Sequence, residues 1–211
     1  MTQAQPTYNT QKQCNRLMDY VATYPDVYIR YLPSNMILEV NPDAAYLALP
    51  KAQSRIAGFF HLTDHKESTK LNGPLLVECK TIKHVISSVA EAETSTIYHN
   101  AQTAFPHLSS SHCSGSPSTA HPIKIDNSTA HGYIYKNIHQ GRSKSWDMHF
   151  YWLRDKETQD QIQVYWRKGT LNHTDYFTKT HSSPHHCAQC NKYLQDINTF
   201  NCSYIITQPK S

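Results

Sequence analysis

The sequence predicts a mixed α/β fold, a sheet with helices packed on it. Three observations predict it. Three β-prone segments follow one another in the first part of the chain; an amphipathic helix and one alternating strand come next; further helices, a last strand and a short helix close the order.

Residues 1–12 are polar and are expected to be loose, and "CNRLMDYVAT" has Leu17, Tyr20 and Val21 at helical spacing until Pro25 ends it. "VYIRY" and "NMILEVNPDAAYL" read as extended, the second carrying Asp43. "SRIAGFFHL" is apolar and β-prone, and "NGPLLVECKTIK" enters a third strand of the meander through Gly73-Pro74. In "SSVAEAETSTIYHNAQTAF" Val89, Ile97, Ala101, Ala104 and Phe105 share one helical stripe, with Ser87 or Ser88 as N-cap. Residues 106–122, rich in Ser, His and Pro, read as a long loop. "IKI" (123–125) alternates as a half-buried strand, "STAHGYIY" is a short helix, and a longer helix follows with Ser145 as cap and Trp146, Phe150 and Leu153 inward. "QIQVYWRKG" is the final strand, and "NHTDYFTKTH" begins a short helix carrying Asp175. The expected organisation is a polar leader with a connector helix (1–34), one folded domain (35–181) and a polar Cys/His-bearing tail (182–211).

A chain of 211 residues with 17% charged and 11% aromatic side chains is globular in composition, which excludes a disordered polyelectrolyte. A net charge of +4 suits a polyanionic partner without demanding one. No basic-then-apolar leader and no run of membrane-spanning length is present, so a soluble intracellular protein is expected. The cysteines at 14, 79, 113, 187, 190 and 202 show no framework spacing and are expected to be mostly free thiols.

The acidic residues carry the chemistry. Asp126 falls where its strand stops and Asn-Ser-Thr starts a helix, a place that suits a cap residue and equally a carboxylate at the carboxyl end of a sheet. Glu93 lies four residues from both Val89 and Ile97 on the apolar stripe, whereas Glu91 is about 200° round from it and is expected to face water. Asp43 and Asp175 occupy comparable places. Carboxylates gathered at such density repel one another unless divalent cations neutralise them, and hard oxygen ligands suit Mg²⁺.

"NPDAAYL", "SRIAGFF", "SSVAEAE", "IDNSTAHG", "RSKSWDMHFYWLRDK" and "NHTDYFTK", in that order, resemble the ribonuclease H domain of copia-type retrotransposon polyproteins, over residues from about 14 to about 193. The resemblance implies a ribonuclease H-like, five-stranded mixed sheet whose first three strands are antiparallel. It implies that Asp43, Glu93, Asp126 and Asp175 hold two Mg²⁺ ions, with Mn²⁺ as a substitute. The implied activity is hydrolysis of the RNA strand of an RNA:DNA hybrid, with Glu93 orienting a 2′-hydroxyl. Asn127, Ser128, Arg142, Lys144 and His173 are the implied substrate contacts, Arg142 and Lys144 through backbone phosphates and His173 through proton transfer or product release. The chain is expected to be a detached fragment of a polyprotein whose other parts are a reverse transcriptase and an integrase.

Two features point elsewhere. Pro42 precedes Asp43 in an interior strand, where it removes a ladder donor and fixes φ; displacement of the carboxylate there is the alternative reading, a catalytically impaired relic with the same fold that at most binds nucleic acid. Cys187 and Cys190, spaced C-x-x-C beside His185 and His186, invite a zinc reading, but no second ligand pair follows, so zinc is not expected.

Overall fold

The chain is described by a computed structural model for residues 5–83, 86–111, 120–135 and 144–196. Its elements are α1 (Tyr8–Thr23), β1 (Val27–Tyr28), β2 (Ile37–Leu49), β3 (Gln53–Thr63), β4 (Pro74–Thr81), α2 (Val89–Ser111), β5 (His121–Ile125), α3 (Ser128–Tyr135), α4 (Lys144–Thr158), β6 (Ile162–Trp166), α5 (Asp175–Thr178), α6 (Ser183–Cys190) and β7 (Gln195–Asp196). The chain divides into two compact units, one of Tyr31–His186 and one of Met1–Arg30 with Cys187–Ser211. In the latter, β1 pairs antiparallel with β7. There α1 begins at Tyr8, earlier than expected, because Thr7 and Thr10 close a reciprocal capping box. Among the described residues no helix is long and apolar enough to cross a membrane.

The larger unit is built on a five-stranded sheet of order β4-β3-β2-β5-β6. β2, β3 and β4 pair antiparallel, and β2–β5 and β5–β6 pair parallel. This mixed sheet, antiparallel in its first three strands, is the ribonuclease H-like arrangement that the resemblance implies. Period-two alternation turns Leu38 and Val40 toward α2, α3 and α4, where Phe60, Ile97, Ile123, Ile125 and Leu153 complete the main core. Trp146, Phe150 and Leu153 are buried, as their spacing on α4 predicts.

The other face of the sheet holds charge. Glu39 is 1% exposed and receives the Lys124 ammonium at 2.6 Å, with His61 Nε2 at 3.4 Å and Arg167 at 3.8 Å. Lys124 and Arg167 also donate to the Ser68 carbonyl, at 2.7 and 2.8 Å. Lys124, at an alternating polar position that predicts exposure, is therefore buried because it has a carboxylate to meet. Burial pushes the Glu39 carboxyl up, but the hydrogen bonds and charges of His61 and Lys124 outweigh it and hold it below the usual range. Lys124→Met strips the closest cation from a buried carboxylate and is expected to cost about 3 kcal/mol in urea unfolding. A loss below about 1 kcal/mol would show that His61 and Arg167 suffice.

α2 is held against β3 by a close approach. Asn100 Nδ2 donates to the Ala57 carbonyl at 3.1 Å, and a Cβ at Gly58 would stand 1.6 Å from Asn100 Oδ1. Gly58→Ala is therefore expected to push α2 off the sheet, lowering stability by about 2 kcal/mol in thermal unfolding; an unchanged melting temperature would contradict this contact.

Two expectations need correction. The 106–122 loop does not hold at either end: α2 runs through Pro106 to Ser111, and β5 starts at His121. Proline's fixed φ is compatible with a helix and forfeits one ladder bond, which α2 tolerates. Residues 112–119 lie outside the described residues. Nor does Pro42 break β2. It stands opposite Gly58 in a continuous ladder with β3, beyond the Val40–Ile123 register that joins β2 to β5, and Asp43 keeps its place opposite Ala57.

Candidate active site

Four carboxylates from separate parts of the chain lie near enough to act on one another electrostatically, Asp43 with Asp126 and Asp175, and Glu93 with Asp43 and Asp126. Asp43, 4% exposed, comes from β2, two residues after the buried Asn41. Thr178 Oγ1, at the end of α5, donates to its Oδ2, and Asn172 Nδ2 donates to its Oδ1 at 3.1 Å. The same amide lies 3.3 Å from Asp126 Oδ2, so one side chain spans the two aspartates. Asp126 follows the last residue of β5, and Trp166 Nε1 donates to its carbonyl at 2.9 Å. It is not the helix cap. That task falls to Asn127, whose Oδ1 accepts the Ala130 N–H at 2.9 Å.

Glu93, 8% exposed, projects from α2, and none of the described residues donates a hydrogen bond to its carboxylate. Asp175 opens α5 and is ion-paired with Lys179. Thr174 Oγ1, just before it, ties this segment to the Asn41 carbonyl of β2. Glu91 does not face water as expected; it is 4% exposed. Its carboxylate accepts from Ser87 N at 2.8 Å and Ser87 Oγ at 2.7 Å, capping the start of α2 where the helix dipole favours a negative charge. The helical angle separated the two glutamates, but capping buried the second one.

The fields of these groups overlap. Burial, with the charges of Asp175 and Asp126 added and against the Thr178 hydrogen bond, pushes the Asp43 carboxyl up to about 6. Burial and then the charges of Asp43 and Asp126 push Glu93 up to about 8. Burial and its acidic neighbours thus favour the protonated form of Glu93.

The donor set is all hard oxygen, and a buried carboxyl without a described donor is a ligand in waiting; both fit a small divalent cation. Among the described residues, no three His, Cys, Asp or Glu side chains are already closed into a group that could hold a metal ion. The Asn172 amide sits between Asp43 and Asp126, and the Lys179 ammonium sits on Asp175.

No family model matches the sequence, and no curated protein matches it. Among solved structures the chain is similar to the N-terminal RNase H domain of Rv2228c from Mycobacterium tuberculosis, solved as a fusion with maltose-binding protein, at 10% identity and a TM-score of 0.44 over 65% of this chain and 86% of that one. It is similar to RNase H1 of the archaeon Halobacterium salinarum NRC-1, at 9% identity and a TM-score of 0.42 over 64% of this chain and 88% of that one. It is also similar to LC11-RNase H1, solved in complex with an RNA/DNA hybrid, at 9% identity and a TM-score of 0.43 over 64% and 88%.

Of the remaining candidates, Asn127 is engaged as the cap of α3, and Ser128 and Lys144 are exposed at the first positions of α3 and α4. His173 is half-buried two residues before Asp175, and Arg142 lies outside the described residues. Cys187 and Cys190 are free thiols, and Cys202 lies outside the described residues. Sequence reasoning missed Asn172, Thr178 and Lys179. Their signal was the segment "NHTDYFTK" itself, which places them three before, three after and four after Asp175.

Proposed function

We propose that this chain is a retrotransposon-derived, copia-type ribonuclease H that hydrolyses the RNA strand of RNA:DNA hybrids using Mg²⁺, with Mn²⁺ as a substitute. The observation that supports it most is the meeting of Asp43, Glu93, Asp126 and Asp175, from four separate elements, in one electrostatically coupled cluster. The order of six motifs supports the retrotransposon origin.

In this reading the four carboxylates would hold divalent ions, whose chemistry when bound would be to lower the pKa of a water and to neutralise charge on the phosphate. Asp43 and Asp126, already linked through Asn172, form the centre of the ligand set. Glu93 would help to hold the metal, and its carboxylate would orient the 2′-hydroxyl that separates RNA from DNA. Asp175 completes the set from α5, a helix secured to β2 by Thr174 and Thr178. Lys144 and Arg142 contact the phosphate backbone, Asn127 and Ser128 border the scissile nucleotide beside Asp126, and His173 carries protons at the Asp175 edge. The activity is hydrolytic and sequence-independent.

Purified protein with Mg²⁺ is expected to cut the RNA strand of a labelled RNA:DNA hybrid and to leave DNA duplex intact. Failure to cut the hybrid, or equal cutting of duplex DNA, would overturn the reading.

A further inference from the structure

The described contacts of the cluster are neutral donors except one. Asn172 and Thr178 offer an amide and a hydroxyl to Asp43, whereas Lys179 brings a full positive charge to Asp175 Oδ1. Lys179 follows the last residue of α5, with an extended backbone (φ −110°, ψ 158°), so the chain has left the helix while the side chain reaches back to Asp175. Its ammonium also attracts Asp43 and Asp126. The pair is not locked: the Lys179 side chain is 57% exposed and the Asp175 side chain 39%.

We propose that Lys179 is the built-in counter-cation of this site, holding Asp175 while the metal is absent and yielding that carboxylate when a divalent ion binds. The inference rests on the metal-dependent reading above. A carboxylate oxygen in contact with an ammonium has one lone pair engaged, and a second cation beside it meets like-charge repulsion. The metal therefore competes with Lys179 for Asp175. An exposed ion pair is weak and its four-carbon stem is flexible, so the exchange is easy. Once released, the ammonium stands at the edge of a cluster that receives a phosphodiester and has three donors to offer it. The same charge thus serves the empty site and then the substrate.

The prediction has a sign that a merely supporting residue would not produce. Lys179→Met, at an exposed position, is expected to bind Mn²⁺ roughly three- to tenfold more tightly than wild type in calorimetric titration without nucleic acid. Lys179→Arg, which keeps the charge, is expected to stay near wild type. In EDTA, Lys179→Met is expected to melt lower than wild type, and saturating Mn²⁺ is expected to erase the difference. Unchanged or weaker Mn²⁺ binding by Lys179→Met, with wild type binding normally, would overturn the counter-cation role and leave the metal-dependent reading standing. No Mn²⁺ binding by either protein would overturn both.

Discussion

Asp126→Asn is expected to slow cleavage of the hybrid by roughly 10²- to 10³-fold, the scale on which a single stabilising group in an active site is felt, while the protein stays folded. The substitution is nearly isosteric and half-exposed, and the Asn172 amide can still find the remaining carbonyl oxygen. What disappears is one negative charge and one anionic ligand. Because Asp126 is among the charges that push Asp43 and Glu93 up, removing it also relieves repulsion. The variant is therefore expected to melt at or slightly above the wild-type temperature without metal, the usual exchange of stability against function at a charged site. Single-turnover cleavage and a melting curve on the same sample check both halves. A rate within about threefold of wild type would remove Asp126 from the chemistry.

The second large effect is on stability against pH. Asp43 and Glu93 move from ordinary values of 3.8 and 4.5 to about 6 and about 8 in the folded protein. A folded state that binds protons more tightly than the unfolded chain is most favoured below the ordinary values and loses that advantage as pH rises through the folded ones. In EDTA the protein is thus expected to lose about 3 kcal/mol or more between pH 4 and pH 8, most of the later loss coming from Glu93. Both groups are nearly buried, so bulk solvent screens them little. A divalent ion that binds only the deprotonated folded cluster restores stability at the alkaline end by mass action. Glu93→Gln, which cannot ionise, is expected to flatten the upper part of the curve. Urea unfolding across this range, with and without Mg²⁺, measures it; a stability that climbs steadily with pH in EDTA would contradict the buried cluster.

Part of the candidate site was legible from local patterns, whereas the set of four carboxylates came from the resemblance. The strand meander, the apolar stripe that singled out Glu93 and the break after Ile125 that left Asp126 at a strand end are all local patterns. What was not legible depends on partners far along the chain. Lys124 meets Glu39 across 85 residues, and a lysine in an alternating strand reads as solvent-facing until that carboxylate is found. Glu91 was placed at the correct helical angle, yet its burial follows from a hydrogen bond to Ser87, which angle cannot show. Pro42 was read as a threat to the position of Asp43, but its ladder with β3 passes opposite Gly58 without interruption and Asp43 stays opposite Ala57. The role of Asn172 escaped entirely, since a polar residue three before Asp175 gains meaning only when Asp43 and Asp126 arrive on either side of it.

The chemistry of the cut ends is the sharpest discriminator. Water as the attacking group, with the 3′ oxygen as leaving group, produces RNA fragments with 3′-hydroxyl and 5′-phosphate ends. Attack by the RNA's own 2′-hydroxyl, which needs no metal, produces 2′,3′-cyclic phosphates and 5′-hydroxyls. Mass spectrometry of the RNA fragments from a hybrid incubated with this protein and Mg²⁺ is expected to show 3′-hydroxyl and 5′-phosphate ends that vanish in EDTA and with Asp126→Asn. Cyclic phosphate ends, or fragments that persist in EDTA, would contradict it.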